Sequence, residues 1–448
     1  MNKYYHITTF GCAMNVSDSE RVATICEMMG YQRRENIEDA NLIIINSCSI
    51  RQKAEDRVMG MGKKITELKA HNDVQAVLTG CMAKRDIRQA SDAVNTNHQM
   101  TYAQDLLKKL KWLDQVVEID QIYKLPKILN QEMNVSVNEY LSIPPKVSNQ
   151  FQSYIPISTG CNKFCTFCIV PFTRGKEVYR SLNEIKNEFH QLLSNGSKEI
   201  ILLGQNVNSW RDINDSYAAC GDEHDFAYLL DDLAQTKGDY WIRFTSSHPY
   251  DINLKLIDVL KKHSTIPKQI HFALQSGDDN VLKRMNRHYT VAQFKDKIKY
   301  IKEMIPDISI STDLIVGFCG ETEQEFENTR KVIEELQFDQ VYISEFSNRK
   351  GTLADKFYQD DVPTQLKALR KEIINEIVAT TNYQKNLQLI GTCHKVLIYK
   401  KKKNLVGRTG SSKDVEISFS GDVQIGEFVD VKISNVSNWS LQGILIKS

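Results

Sequence analysis

The stretch Cys161-Asn-Lys-Phe-Cys165-Thr-Phe-Cys168 follows an apolar segment, Ser153 to Ser158, and precedes a helical one, Leu182 to Leu193. Three thiols at that spacing on one loop can face a single iron–sulfur cube and leave its fourth iron open. Zinc is the alternative reading, although a structural zinc site wants four ligands and no fourth Cys or His lies close in sequence.

Downstream of the loop the strand-then-helix pattern recurs. Strands are expected at Glu199–Leu203, Tyr240–Thr245, Gln269–Leu274, Ile308–Val316 and Gln340–Phe346, with helical stretches such as Thr290–Ile305 between them. Six β/α units predict an open (β/α)6 partial barrel, and function in such folds collects at the carboxyl ends of the strands. The cysteine loop sits at the first of those ends.

Upstream, Tyr4–Phe10, Leu42–Asn46 and Val74–Thr79 read as strands, with helices at Asp18–Met29 and Ala54–Ala70 and a stop at Gly30. That βαβαβ order predicts a Rossmann-like parallel α/β domain over residues 1–120. Residues 121–146, polar and carrying Pro126, Pro144 and Pro145, read as a linker to a barrel domain at 147–380. From 381 to 448, short strands punctuated by Gly391, Gly407, Gly410, Gly421, Gly426 and Gly443 predict a small antiparallel β-barrel.

Three further cysteines share one register. Cys12, Cys48 and Cys81 each follow an N-terminal strand by one or two residues, beside Gly11, Ser47 and Gly80. Consecutive strand ends of a parallel sheet lie on one edge, so these thiols can meet in the crevice where ligands bind. Isolated buried cysteines would show no common register. Cys26 and Cys393 read as structural, and Cys220 falls on a loop.

Composition narrows the classes. The chain has 448 residues, ten cysteines, a formal net charge of +1 and 25% charged residues. Met1 to Cys12 lacks an apolar run of signal length and no stretch approaches the ~20 apolar residues of a membrane span, so a cytoplasmic protein without a disulfide framework is expected. Global charge supplies no field for nucleic acid. Locally, however, Lys395, Lys400, Lys401, Lys402, Lys403, Arg408 and Lys413 fall between Gly391 and Lys413 with no acid among them, a pattern that is usually a solvated turn but on a small β-barrel suits RNA phosphates.

Taken together, the motifs resemble the methylthiotransferase family of radical S-adenosylmethionine enzymes. The resemblance rests on Thr-Phe-Gly-Cys12-Ala-Met-Asn15, on Cys161 to Cys168 continuing to Arg174-Gly-Lys-Glu177-Val-Tyr-Arg180, and on Gly204-Gln205-Asn206-Val-Asn208. Ser-Ser-His248-Pro, Gln275-Ser276-Gly277 and Ser-Thr-Asp313 extend it. Cys319 and Lys350 stand where the family pattern has prolines.

The resemblance implies two [4Fe–4S] clusters, one on Cys161, Cys165 and Cys168 that cleaves S-adenosylmethionine to a 5′-deoxyadenosyl radical, and one on Cys12, Cys48 and Cys81 that supplies sulfur. Position in the cysteine loop or near the strand ends suggests that Phe167, Gly204, Gln205, Ser246, Gln275 and Asp313 serve the cofactor, an ordinary satisfied barrel residue being the alternative for each, and that Arg174, Lys176 and Arg180 contact cofactor or RNA or form a solvated face. The C-terminal barrel is similar to the OB-like, RNA-binding TRAM domain. Cys12-Ala-Met-Asn15 looks most like the branch that methylthiolates N6-isopentenyladenosine at position 37 of tRNA, using two S-adenosylmethionine molecules. Branches acting on threonylcarbamoyl-adenosine or on a ribosomal protein remain, as does a non-catalytic iron–sulfur RNA-binding module. The implied partners are a tRNA anticodon stem-loop and an electron donor such as flavodoxin or ferredoxin, acting on a monomer away from membranes.

Overall fold

The computed structural model describes residues 3–85, 102–131, 139–147, 151–213, 224–418 and 422–446. Cys220 lies outside them.

The N-terminal sheet is parallel. Strands β1 (Tyr4–Phe10), β2 (Leu42–Ser47) and β3 (Gln75–Thr79) pair in the order β1-β2-β3, and two-residue strands at Gln32–Arg33 and Gln115–Val116 pair outside them. Every residue of β2 is buried, as a strand covered by helices on both faces must be. Helix α1 (Ala13–Met28) follows β1 and ends at Gly30, whose φ of +83° is the left-handed turn that glycine permits. The helix expected over Ala54–Ala70 is two, Gln52–Gly60 and Gly62–His71, which meet at Met61, and the Trp112 ring fills the space beside Gly62.

The linker expected at 121–146 is a correction. Ile119–Lys124 and Leu125–Ile128 form helical turns, and Ile122, Leu125, Leu129, Tyr140 and Ile143 pack against Tyr5, Val22 and Ile25 of the N-terminal core. Pro126 opens its short helix instead of breaking one, since a first-turn position needs no N–H donor.

The partial barrel follows. Its strands β4 (Gln152–Pro156), β5 (Glu199–Leu203) and β6 (Trp241–Phe244) form one parallel group, and β7 (Gln269–His271), β8 (Ser309–Val316) and β9 (Gln340–Glu345) form a second. A parallel bridge between Ser247 and Phe272 joins the groups. No ladder closes β4 onto β9 among the described residues, and α1 packs along the open edge at β4. Helix α2 (Leu182–Ser194), started by a Ser181–Glu184 capping box, places Ile185, Phe189 and Leu192 on the shared core.

Helix α3 (Thr364–Leu387) leads to the C-terminal barrel of β10 (Cys393–Lys401), β11 (Leu405–Thr409), β12 (Asp414–Ser418), β13 (Phe428–Val436) and β14 (Ser440–Leu445). It closes in the order β10-β11-β12-β14-β13. The expectation of a wholly antiparallel barrel is corrected at one seam, where β12 and β14 run parallel.

This barrel caps the amino-terminal ends of β4 to β9. Arg243 of β6 donates to the carbonyls of Thr409 (3.0 Å) and Gly410 (2.9 Å), while its Nε holds Glu199 at 2.6 Å. Trp241 meets Phe428 edge to face at 4.7 Å, and Gly426 lies against Phe151.

Candidate active site

The cysteine loop begins where β4 ends. Gly160, at φ +83°, turns the chain against the backbone of Gly175 and Lys176, an approach no Cβ would allow. Gln205 Oε1 accepts from Gly160 N at 2.6 Å, so this residue braces the loop. Cys165 is buried, and Cys161 and Cys168 are partly exposed. Arg287, itself buried, donates to Cys165 Sγ at 3.2 Å and to Ala273 O at 3.0 Å. Burial pushes the Cys161 thiol up to about 11 and the Cys168 thiol up to about 12.

The rim around the loop shows a ligand's worth of unmet hydrogen bonding. Ser158 Oγ, Asn206 Oδ1 and Ser247 Oγ are buried without partners. Buried polar atoms left so are costly unless something binds them. Ser246 (φ +66°) and Gln275 (φ +69°) hold left-handed backbone just beyond β6 and β7, and strain of that kind gathers at binding sites. Phe167 is half-buried against the cluster of Val281, Met285 and Phe318. Gly204 is required by Ser158, whose Oγ lies 2.5 Å from where a Cβ would stand. Asp313 accepts from His271 Nε2 at 3.0 Å and stays partly exposed.

His248 is buried beside this rim. Burial, then the nearby Arg287 charge, depress its imidazole to about 2, so it is neutral, and its Nδ1 accepts from Tyr250 N. Glu177 is raised by burial and is held by the Ser209 hydroxyl.

The other three thiols meet at the carboxyl edge of the N-terminal sheet. Cys12 caps α1, Cys48 directly follows β2, and Cys81 follows Gly80, whose φ is +87°. Two asparagines lock these loops. Asn15 Oδ1 takes the Cys12 N–H at 3.3 Å, Asn15 Nδ2 donates to Asn46 Oδ1 at 3.0 Å, and Asn46 Nδ2 returns to Asn15 O at 2.8 Å. A side chain at Gly11 or Gly80 would collide with these amides. Cys48 and Cys81 share a hydrogen bond that raises Cys48 and lowers Cys81; the Arg174 guanidinium lowers Cys81 further. Backbone N–H of Ile50 reaches Cys48 Sγ at 3.3 Å.

Buried ion pairs bind the two halves of the site. Arg174, six residues past Cys168, grips Asp18 of α1 through both terminal nitrogens (3.2 and 2.5 Å) and turns its Nε to Cys81 Sγ at 3.2 Å. Arg21 of α1 and Arg180 share Glu188 of α2 at 3.0 and 2.7 Å. Arg349 donates to Ile50 O and Gln52 Oε1, both at 2.8 Å, closing the opposite side.

The thiols fit iron–sulfur ligation. Each triad lies close enough for mutual electrostatic influence, is free of disulfides, and receives N–H donors on sulfur, the contacts that tune such clusters. Among the described residues no three His, Cys, Asp or Glu side chains are arranged to hold a single metal ion.

Comparison with known proteins agrees with this layout. Residues 4–101 match an uncharacterized protein family, UPF0004, residues 155–333 match the Radical SAM superfamily, and residues 389–446 match the TRAM domain. The chain is 36% identical to the tRNA-2-methylthio-N(6)-dimethylallyladenosine synthase of Thermoanaerobacter sp. (strain X514), over 100% of its length and 93% of the relative. It is 37% identical to the synthase of the same description from Dictyoglomus thermophilum, over 100% of its length and 99% of the relative. The chain belongs to this synthase family. In fold, it is similar to the cobalamin-dependent S-adenosylmethionine radical enzyme OxsB, with a TM-score of 0.51 at 10% identity, covering 84% of this chain and 56% of that one.

Within this family member the basic segment divides. Lys395 pairs with Asp239 and Lys413 donates to Asn386 at 2.7 Å, contacts that leave the barrel, whereas Arg408 pairs at 3.3 Å with Asp414 on the adjacent barrel strand. Lys400, Lys401, Lys402 and Lys403 are exposed, with Lys401 touching Val423 O. Arg174 and Arg180 are buried in ion pairs; Lys176 alone of that trio faces solvent. Cys319 is buried among Phe318 and Phe346, whereas Cys393 is exposed rather than structural.

Sequence reasoning missed Asp18, Asn46, Glu188, His271 and Arg287. Asn46 alone left a local signal, a polar amide ending the apolar run Leu42–Ile45.

Proposed function

We propose that the chain replaces the C2 hydrogen of N6-isopentenyladenosine at position 37 of tRNA with a methylthio group, with Cys161, Cys165 and Cys168 holding one [4Fe–4S] cluster and Cys12, Cys48 and Cys81 a second. The observation that carries this reading is the pair of three-thiol sets on adjoining sheet edges, joined by Arg174. When bound, the clusters and S-adenosylmethionine supply one-electron chemistry that can open an aromatic C–H bond no side-chain base could deprotonate.

The chain's own groups position and exclude. Gln205 and Arg287 fix the cysteine loop, and the unpaired Ser158, Asn206 and Ser247 atoms offer hydrogen bonds to the polar groups of S-adenosylmethionine. Ser246 and Gln275 present strained backbone at the rim, Gly204 keeps that wall thin, and Phe167 offers an apolar face for adenine. Asp313, paired with His271 and partly exposed, is assigned to the cofactor. Helix α1 along the open edge keeps water from the site.

The RNA contact is assigned to the Lys400–Lys403 turn, and an anticodon loop suits the site because its bases unstack cheaply. Delivery of electrons by flavodoxin or ferredoxin, a monomeric state and a cytoplasmic location complete the proposal; no described helix is long and apolar enough to cross a membrane. The test is anaerobic reconstitution, then incubation with S-adenosylmethionine, reductant and tRNA bearing N6-isopentenyladenosine or threonylcarbamoyl-adenosine, followed by mass spectrometry of nucleosides. The methylthio product should form on the isopentenyl substrate. Release of 5′-deoxyadenosine with product only on the other tRNA, or on neither, would overturn the assignment.

A further inference from the structure

Arg174 occupies a position that neither cofactor binding nor RNA contact explains. Its side chain is 1% exposed and Asp18 is 0% exposed, so no solvent competes for either. Both oxygens of Asp18 take the two terminal nitrogens, which fixes the plane of the guanidinium. Asp18 in turn accepts from the Tyr140 hydroxyl, so the carboxylate cannot swing away. With the fork immobilised, the third donor, Nε–H, has one direction left, and Cys81 Sγ lies there at 3.2 Å. The sulfur belongs to the N-terminal sheet and the arginine to the segment that carries Cys168.

We propose that Arg174 is the positioning residue of the second cluster: its Nε–H, aimed by Asp18, holds Cys81 as a ligand and sets that cluster's reduction potential across the domain boundary. This rests on the reading that Cys12, Cys48 and Cys81 bind a cluster. A cation and an N–H donor on a ligand sulfur withdraw charge from the cluster and favour its reduced form, and outer-shell donors of this kind govern affinity. Among the described residues no other cation donates to a thiol of this triad, whereas the first triad has its own, Arg287 on Cys165. Each site thus carries one guanidinium on one sulfur. Of these two arginines, Arg174 comes from a different domain than the thiol it contacts.

The test isolates the second site. In the full-length chain, Cys161, Cys165 and Cys168 are all changed to Ala, and iron content, midpoint potential by anaerobic spectroscopic titration, and the rate of iron loss to a chelator are measured. Arg174→Gln is then added, and separately Arg174→Gln with Asp18→Asn, which removes the unpaired buried carboxylate. The double change should restore thermal stability yet leave a potential more negative than the parent's and iron loss about 10–100-fold faster. A double variant matching the parent in potential and chelation rate would show that Arg174 serves only as a partner for Asp18, and would overturn the proposal. A parent holding no iron would overturn the two-cluster reading itself, a result distinct from the former.

Discussion

At the scale of single residues, the division of labour between the triads is directly separable. Cys165→Ala should abolish release of 5′-deoxyadenosine while the second cluster's absorbance persists; Cys48→Ala should keep that release and lose the methylthio nucleoside. Methylthio product from the Cys48 variant would remove the second triad as sulfur source. His248 gives a pH signature. Its folded pKa is depressed from 6.5 to about 2, so the unfolded chain binds a proton the folded chain refuses. The stability this contributes is complete above pH 6.5 and is lost as the solution is acidified below it. His248→Asn, which keeps an acceptor for Tyr250 N, should flatten the fall in unfolding free energy between pH 6.5 and about pH 4.5. An equally steep fall would assign it to other groups. The cysteines were legible in sequence because one triad is local and the other repeats a strand register. Arg174 was not, because Asp18 is 156 positions away and nothing local distinguishes a buried arginine from a solvated one.

At the scale of elements, α1 joins the two halves, since it carries Asp18 and Arg21 to Arg174 and Glu188 of the barrel domain. Glu188 of α2 neutralises Arg21 and Arg180 together, and all three side chains are at most 9% exposed. Glu188→Gln leaves two buried guanidiniums short of a counter-charge, for a loss of about 3–5 kcal/mol. Urea denaturation followed by circular dichroism should show that loss; a change under about 1 kcal/mol would mean water reaches the pair. The strands were read from sequence nearly to the residue, as β2 and β5 show, because buried parallel strands are unbroken apolar runs. The helical turns within 121–131 were misread as linker because Pro126 masked the helical spacing of Ile119, Ile122 and Leu125. The sequence showed six β/α units, whereas the placement of α1 over the open edge is a tertiary fact with no sequence period of its own.

At the scale of the whole molecule, the charge pattern of the C-terminal barrel is the clearest instance of a sequence signal divided by folding. Seven cations read as one surface, and three of them are engaged by partners: Lys395 by Asp239 in an exposed pair, Arg408 by Asp414 on the neighbouring strand, and Lys413 by Asn386. Lys401→Glu with Lys402→Glu should therefore weaken tRNA binding and reduce the slope of log affinity against log salt by about 2. Unchanged affinity from low to high salt would move the RNA seat elsewhere. The grip of Arg243 on the Thr409–Gly410 turn has a consequence for recognition. It pins the C-terminal barrel to the beginnings of strands whose opposite ends carry the thiols, and a five-residue strand such as β5 spans about 17 Å. An RNA seated on that barrel as proposed would be held by this anchorage like work in a caliper, at a set reach from the thiols.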